Sequence, residues 1–339
     1  MANLLENIIS IKEERGFTHK IIRLFGIKFK IKTKYYGKKF QSECSEALYD
    51  YLKDHDCHED YQNLIRGLDN SSIDVVNKII HRVIKQNDER DFVVSDVYSS
   101  AEKARLDEEC MESIKFSDKC YGWNKYFLTT DSFSSSVFGF KHGLKLLSEY
   151  SLNRVKNRDI VDVGGYIGDS AILLADYTDK NVYTFEPGSN NYNTLQETIK
   201  LNNSKNIVPI KLGLGSKTEV VEFSINDGES KCVFDNKSDF DVEKINITTL
   251  DEYTEQNNID VGLIKVDIEG LEQDFLKGAR KTIENQKPVL LLSIYHNPDD
   301  FFHIKTIIES WNLGYKFKIS KHVGAEPLIE TMLIAEVNE

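Results

Sequence analysis

The stretch DIVDVGGYIGDSAILLA, residues 159–175, constrains the fold more than any other part of the chain. A β-branched run passes through glycines and a helical pattern opens near Gly168. That order of strand, tight turn and helix belongs to α/β architecture, where the turn brings backbone close to a ligand and the helix start leaves N–H groups free. The spacing is Asp162-x-Gly164-x-x-x-Gly168. It departs from the Gly-x-Gly-x-x-Gly dinucleotide fingerprint, and no Gly-Lys-Ser/Thr follows, so a P-loop is excluded. An acid just ahead of the first glycine suits a cationic or hydroxyl-bearing ligand better than a pyrophosphate.

Strand and helix signals alternate after this motif. Apolar runs fall at 159–163, 182–185, 207–210, 262–266, 288–294, 315–319 and 331–335, with helical patterns at 168–178, 189–202, 271–284 and 299–311. Such alternation predicts a parallel sheet covered by helices on both faces. The segment EVVEFSI, 219–225, reads as an extra strand pairing with 244–247.

Residues 1–157 are polar and helix-biased. Ile73, Val76, Ile80, Val83 and Ile84 recur at helical spacing, predicting an amphipathic helix over 72–87, with Ser71 and Asp74 as a capping box. Lys28, Lys30, Lys32 and Lys34 alternate with Phe29, Ile31 and Thr33, which predicts a strand with one basic face. Such a face is either a solvated edge that resists aggregation or a patch for anionic lipid or a phosphorylated substrate. The aromatic and Ser-rich stretch 121–140 reads as a linker with a packing helix or as a lid over a site in the second half.

Composition limits the function classes. The 339 residues predict about two domains. Lys plus Arg is 43 against 55 Asp plus Glu, a net charge of −12, which disfavours nucleic acid because phosphate contacts dominate that affinity. No apolar run reaches the length of a membrane span, and the N-terminus lacks a signal-peptide core. Five cysteines without a Cys-x-x-Cys argue against a disulfide framework or structural zinc, and a reducing cytoplasm is the expected location.

Three further strand ends carry acid, base or both. VYTFEPG, 182–188, ends in Glu186, an acid that can accept both ribose hydroxyls of an adenosine. LIKVDIEGLE, 263–272, ends in Asp267 and Glu269, which alternation points the same way at the carboxyl end of the sheet, where ligands of open α/β sheets bind. The two carboxylates could hold a divalent ion, act as base, bind substrate hydroxyls, or simply favour a helix N-terminus. Lys265 shares their face and either pairs with a carboxylate or meets substrate. LLLSIYHNPDD, 290–300, ends at His296, a side chain suited to taking a proton near neutral pH, to holding a metal, or to a structural role.

Together DVGGYIGDSA, FEPGSNNYNTL, IKVDIEGLE and LLLSIYHNPDDF resemble the FkbM family of S-adenosylmethionine-dependent methyltransferases, over about residues 130–337. The resemblance implies the class I methyltransferase (Rossmann-like) sheet of seven strands with the last one antiparallel, joined to a helix-rich N-terminal region. It implies a methyltransferase domain over 131–339 and leaves 1–130 for acceptor recognition or dimerisation. Gly164, Tyr166 and Gly168 would line the methionine part of S-adenosylmethionine, and Asp162 would contact it directly or through water. Glu186 would hold the ribose, Pro187 would flank the adenine, and Leu212 and Gly213 fall where adenine contacts are expected. Family members often have Gly-Ala-Asn where this chain has Gly164-Gly165-Tyr166, so Tyr166 would shape the pocket differently.

The implied activity is O-methylation of a sugar, nucleotide-linked or from capsule or lipopolysaccharide; the segment LFGIK, also seen on bacterial glycan-assembly enzymes, points the same way. A lipid or secondary-metabolite hydroxyl, or a non-catalytic binding protein with the same fold, stays open. So do peripheral membrane contact and a homodimer. The expected catalytic set is His296, Asp267 and Lys265, with His296, or a metal held by Asp267 and Glu269, weakening the acceptor's O–H bond.

Overall fold

The computed structural model describes residues 42–88, 111–225, 242–322 and 326–337, together with the backbone of four short strands at 9–13, 19–24, 27–32 and 230–232. The first three of these are β1 (Ile9–Glu13), β2 (His19–Leu24) and β3 (Ile27–Lys32), an antiparallel sheet in the order β1-β2-β3. The expected strand across Lys28–Lys34 is therefore present as β3, while the side chains of its basic face lie outside the described residues.

Three helices follow: α1 (Glu43–Asp54), α2 (His58–Ile65) and α3 (Asn70–Asp88). The third realises the predicted amphipathic helix with one correction at its start. Asp69, not Ser71, caps it: the Ser72 N–H donates to Asp69 Oδ1 at 2.7 Å, and the Ser71 hydroxyl donates to the same oxygen at 2.7 Å. The hydrogen bonds from the Ser72 N–H and the Ser71 hydroxyl keep the Asp69 carboxyl below the ordinary range, and an aspartate at the N-cap also complements the helix dipole. Val76, Ile79 and Val83 are the buried stripe, and Ile84 is 38% exposed.

A small antiparallel sheet, β4 (Ile114–Ser117), β5 (Cys120–Trp123) and β6 (Tyr126–Leu128), leads through the short α4 (Ser135–Phe138) and a 3-10 turn (Lys141–Leu146) to α5 (Glu149–Lys156). Then comes the central sheet. Its strands in chain order are β7 (Asp159–Val163), β8 (Val182–Phe185), β9 (Ile207–Ile210), then, after a side sheet, β14 (Val261–Val266), β15 (Val289–Ser293), β16 (Tyr315–Lys321) and β17 (Thr331–Val337). The side sheet holds β10 (Gly213–Leu214), β11 (Glu219–Ile225), β12 (Ser230–Cys232) and β13 (Val242–Thr248). In it β11 and β13 pair antiparallel, the partnership expected for 219–225 with 244–247.

Across the central sheet the order is β16-β17-β15-β14-β7-β8-β9. All neighbours are parallel except β17, which runs antiparallel to both β15 and β16. This is the Rossmann-like sheet of seven strands, the last one antiparallel, that the resemblance implies. Strands β7, β14 and β15 are buried almost throughout, as a doubly covered parallel sheet requires. Pro209 lies inside β9, the edge strand, where a missing N–H leaves no central ladder bond unmade.

The covering helices are α6 (Asp169–Leu174), α7 (Ser189–Leu201), α8 (Leu250–Asn257), α9 (Glu272–Gly278), α10 (Arg280–Gln286) and α11 (Pro298–Ser310). The predicted single helix over 271–284 is two, broken at Ala279. Helices α1 to α3 join the same core: Leu48, Leu64, Val76 and Val83 pack in one cluster with Phe301, Phe302 and Phe317. The Ile319 N–H of β16 also donates to the Ser72 hydroxyl at 3.0 Å. Among the described residues, no helix is long and apolar enough to cross a membrane.

Candidate functional site

The turn after β7 is set by its glycines. Gly164 has φ +85°, and a Cβ there would collide with the Asp267 carbonyl oxygen. The N–H groups of Gly164 and Gly165 both donate to Phe185 O, at 3.1 and 2.9 Å, which ties the turn to the end of β8. Tyr166 follows at φ +43°, 43% exposed, and its N–H donates to Glu186 Oε2 at 2.9 Å. The other oxygen of Glu186 accepts the Gly188 N–H at 3.0 Å. Burial raises this carboxyl to about 7 against the pull of its two backbone donors. Glu186 is thus fixed in position and aimed by the backbone, while remaining able to ionise at neutral pH.

These groups open onto a cavity of about 410 Å³ at the carboxyl ends of β7, β8 and β14. That volume lies in the range of small-molecule sites. One end is apolar, with Phe185, Pro187, Leu212, Gly213, Ile245 and Ile247. The other end is polar, with Ser134, Ser136, His142, Asp267, Glu269 and Glu330. Gly164, Tyr166 and Glu186 line the same cavity.

Of the expected ligand contacts, Gly164, Tyr166, Glu186, Pro187, Leu212 and Gly213 line the cavity, and so do Lys265, Asp267 and Glu269. Asp162, Gly168 and His296 are not among its lining residues. Asp162 is fully buried behind the turn. Its Oδ2 accepts the Thr184 hydroxyl at 2.8 Å, and its Oδ1 lies 3.3 Å from Lys265 Nζ. Gly168, at φ +90°, starts α6, and a Cβ there would sit 2.8 Å from Leu195 Cδ1. It is therefore a packing glycine as well as a turn glycine.

Lys265 does pair with a carboxylate, though with Asp162 rather than with those on its own strand. The ammonium is 2% exposed and also donates to Gly164 O at 3.0 Å. Burial acts against its charge, but Asp162, Asp267 and Asp169 outweigh burial and raise it above its ordinary value. An ammonium so held is a counter-ion under the glycine turn, not a free acid or base.

His296 sits among carboxylates. The ring is 4% exposed, with Nδ1 2.9 Å from Glu272 Oε1 and Nε2 3.4 Å from Asp267 Oδ1 and 3.8 Å from Glu269 Oε2. Burial opposes protonation, but the Glu272 hydrogen bond and the charges of Glu272, Asp267 and Glu269 prevail and raise the ring to about 9. That shift favours the imidazolium at neutral pH. Asp267, Glu272 and His296 each bring a ligand atom within 4.8 Å of the others. Glu272 joins the expected Asp267 in that set, and Glu269 stands outside it. Asp267 is held below the ordinary carboxylate range, since Lys265 and His296 overcome its burial, and the Tyr295 hydroxyl donates to its Oδ1 at 3.1 Å.

At the polar end, motif reading missed Ser134, Ser136, His142 and Glu330. Ser134 and Ser136 fall in the stretch expected to be a linker or lid, and α4 brings them to the cavity. His142, at φ +50°, meets the Ser170 hydroxyl at 2.9 Å and is buried to about 3, so it stays neutral. Burial raises Asp169 to about 6. Glu330 precedes β17, with φ +65°. Only the antiparallel course of that strand carries it to the carboxyl edge.

Residues 162–317 match the family model described as the methyltransferase FkbM domain. A curated protein of Beauveria bassiana (strain ARSEF 2860), Methyltransferase 1, is 24% identical over 204 residues, covering 53% of this chain and 81% of that one. The crystal structure of Methyltransferase FkbM from Methylobacillus flagellatus KT superposes with a TM-score of 0.55 at 22% identity. That match covers 85% of this chain, which spans 60% of the length of the solved protein.

Proposed function

Because residues 162–317 are a methyltransferase FkbM domain, we propose that the chain transfers a methyl group from S-adenosylmethionine to a hydroxyl of a sugar. The observation that carries the cofactor reading is Glu186, held by the N–H groups of Tyr166 and Gly188 with its carboxylate in the cavity. A doubly anchored acid at the end of the second strand is placed to accept two adjacent ribose hydroxyls. The apolar end suits an adenine between Pro187, Leu212 and Ile247, and the glycine turn admits a close backbone approach to the methionine part.

The cofactor, when bound, supplies a sulfonium-activated methyl group. The chain supplies position and electrostatics. Gly164 and Tyr166 line the wall of the cavity. Ser134, Ser136 and His142 offer hydrogen bonds to a hydroxyl-bearing acceptor. Asp267, kept anionic by Lys265, His296 and the Tyr295 hydroxyl, offers an acceptor to an O–H and a counter-charge to a cation.

The polar end also favours an acceptor class. Asp267, Glu269 and Glu330 line it, and among its described lining residues the cation is Lys265, which Asp162 already neutralises. A neutral polyol or an amino sugar fits that field. A sugar diphosphate would have to keep its phosphates outside this end, which moves the reading from a nucleotide-linked sugar toward a free or glycan-borne one. A lipid or secondary-metabolite hydroxyl of the same polarity is the second reading, favoured by the same hydrogen-bonding groups.

The test has two steps. Calorimetric titration with S-adenosylhomocysteine and NADH separates a methyltransferase from a dinucleotide enzyme, with binding expected for the first alone. Mass spectrometry then follows methyl gain on a panel of free, amino and nucleotide sugars, with and without EDTA. Gain on free or amino sugars with EDTA present supports the reading. Binding of NADH in place of S-adenosylhomocysteine, or of neither, refutes it.

A further inference from the structure

Methyl transfer to a sugar hydroxyl needs somewhere for the hydroxyl proton to go, and neither His296 nor Lys265 is placed to take it. His296 is not among the residues that line the cavity, and Lys265 is a buried ammonium paired with Asp162. His142 faces the cavity as a neutral ring but is too weak a base. Resting on the reading of the site as a hydroxyl methyltransferase, we propose that Glu330 is the catalytic residue that accepts the acceptor's proton.

The placement follows from topology. Because β17 runs antiparallel to its neighbours, its start lies at the carboxyl edge, beside the end of β15. The Ile294 N–H donates to Thr331 O at 3.0 Å, which pins the residue after Glu330 to the strand end that leads into Tyr295 and His296. Glu330 thereby lines the same polar end as Asp267, Ser136 and His142. A glutamate at φ +65° sits in a backbone region that side chains of this kind seldom occupy, and its neighbours hold it there.

The groups facing it account for its basicity. Burial raises Glu330 to about 7, and the negative charge of Asp267 adds to burial. The Ser136 hydroxyl, Lys321 and Lys265 pull the other way. Lys321, itself buried and lowered to about 8, feels Glu330 and Glu326, and Tyr295 feels Glu330 and Asp267. A base with its midpoint near working pH is half ionised there and accepts a proton with useful driving force. In the transfer, the acceptor oxygen forms its bond to the methyl carbon while the carbon–sulfur bond breaks with its electron pair on sulfur. The hydroxyl proton passes to the Glu330 carboxylate. Ether, S-adenosylhomocysteine and a neutral Glu330 result, and loss of that proton to solvent resets the site.

The test does not need the natural acceptor. S-adenosylmethionine carries a sulfonium charge and S-adenosylhomocysteine does not, so a carboxyl near the transferred methyl should ionise further with the first ligand than with the second. Calorimetry at pH 7 in two buffers of different ionisation enthalpy reads the proton release. The expected result is up to about half a proton more released with S-adenosylmethionine, abolished in Glu330→Gln. Ser136→Ala, which removes a bond that favours the ionised form, should move the midpoint of that release upward. On acceptors that pass the methyl-gain screen, Glu330→Gln should slow transfer by about 10²- to 10⁴-fold and remove the limb of the pH profile near 7. Binding of both ligands with the same difference in proton release in Glu330→Gln and wild type overturns the assignment of Glu330 alone. Failure of both ligands to bind overturns the methyltransferase reading together with it.

Discussion

Lys265→Met distinguishes a buried counter-ion from a catalytic amine. Lys265 and Asp162 are 2% and 0% exposed, 3.3 Å apart. At an effective dielectric of about 20, two unit charges at that distance attract by about 5 kcal/mol. Removing one partner leaves Asp162 with the Thr184 hydroxyl alone and Gly164 O without its donor, and breaking such a pair costs about 3–5 kcal/mol. At about 2.1 cal/mol/K per residue of unfolding entropy, that loss lowers Tm by about 4–7 °C for this chain.

Differential scanning calorimetry and urea unfolding measure the effect. The folded Lys265 titrates above its ordinary value, so its contribution is fully present below that value and lost only as pH rises through the folded one. The defect should therefore be level between pH 7 and 9. Lys265→Met with Asp162→Asn should recover at least about 2 kcal/mol relative to the two single losses added together. Single losses that add to within about 0.5 kcal/mol, or a Lys265→Met chain as stable as wild type yet inactive, would refute the counter-ion assignment.

Three more outcomes follow from the same geometry. Glu186→Gln should weaken S-adenosylhomocysteine binding about 10- to 100-fold, and wild-type affinity should fall as pH drops through about 7, since the ionised carboxylate accepts the ribose hydroxyls; pH-independent affinity by calorimetry contradicts this. Gly164→Ala should abolish binding and destabilise the fold, because its Cβ meets the Asp267 carbonyl, whereas Gly67→Ala, at φ +76° with open space around it, should cost about 1–2 kcal/mol of strain and leave binding intact. His296→Gln should lose stability on the order of 3 kcal/mol at pH 6; the ring's contribution is complete below about 6.5 and disappears as pH rises through about 9, so the gap to wild type should close in alkali, and a gap that widens there sinks the imidazolium assignment.

The sheet was legible because every strand that builds it is written as a short apolar run bounded by glycines, acids or polar turns. β7, β8, β14 and β15 fall within a residue of the runs that predict them. Burial on both faces leaves little freedom in composition for such strands. The start of α3 was less legible, since Asp69, Ser71 and Asp74 are all credible first-turn residues. Asp69 caps it because its side chain reaches the Ser72 N–H. The break in 271–284 was illegible too: Ala279 is a good helix former, and nothing local forces its φ of −108°.

For the site, sequence position showed which residues reach the carboxyl edge but not what each would do there. Glu186, Asp267 and Glu269 end parallel strands, and all three line the cavity as alternation implies. Asp162 and Lys265 lie directly opposite each other on paired strands, so their charges meet inside the sheet. A motif gives the residue types but not that pairing. His296 follows the same rule from the other side: its role turns on Glu272, whose carboxylate reaches back from α9. Glu330 shows where motif reading ends. It belongs to no glycine turn and no strand C-terminus, and its chemistry depends on the direction of one strand. Reversing β17 would place its first residue at the opposite edge, away from the cavity. An antiparallel final strand therefore does more than close the sheet, because it returns the chain to the edge where the parallel strands end. In this chain that return brings Glu330 to the cavity.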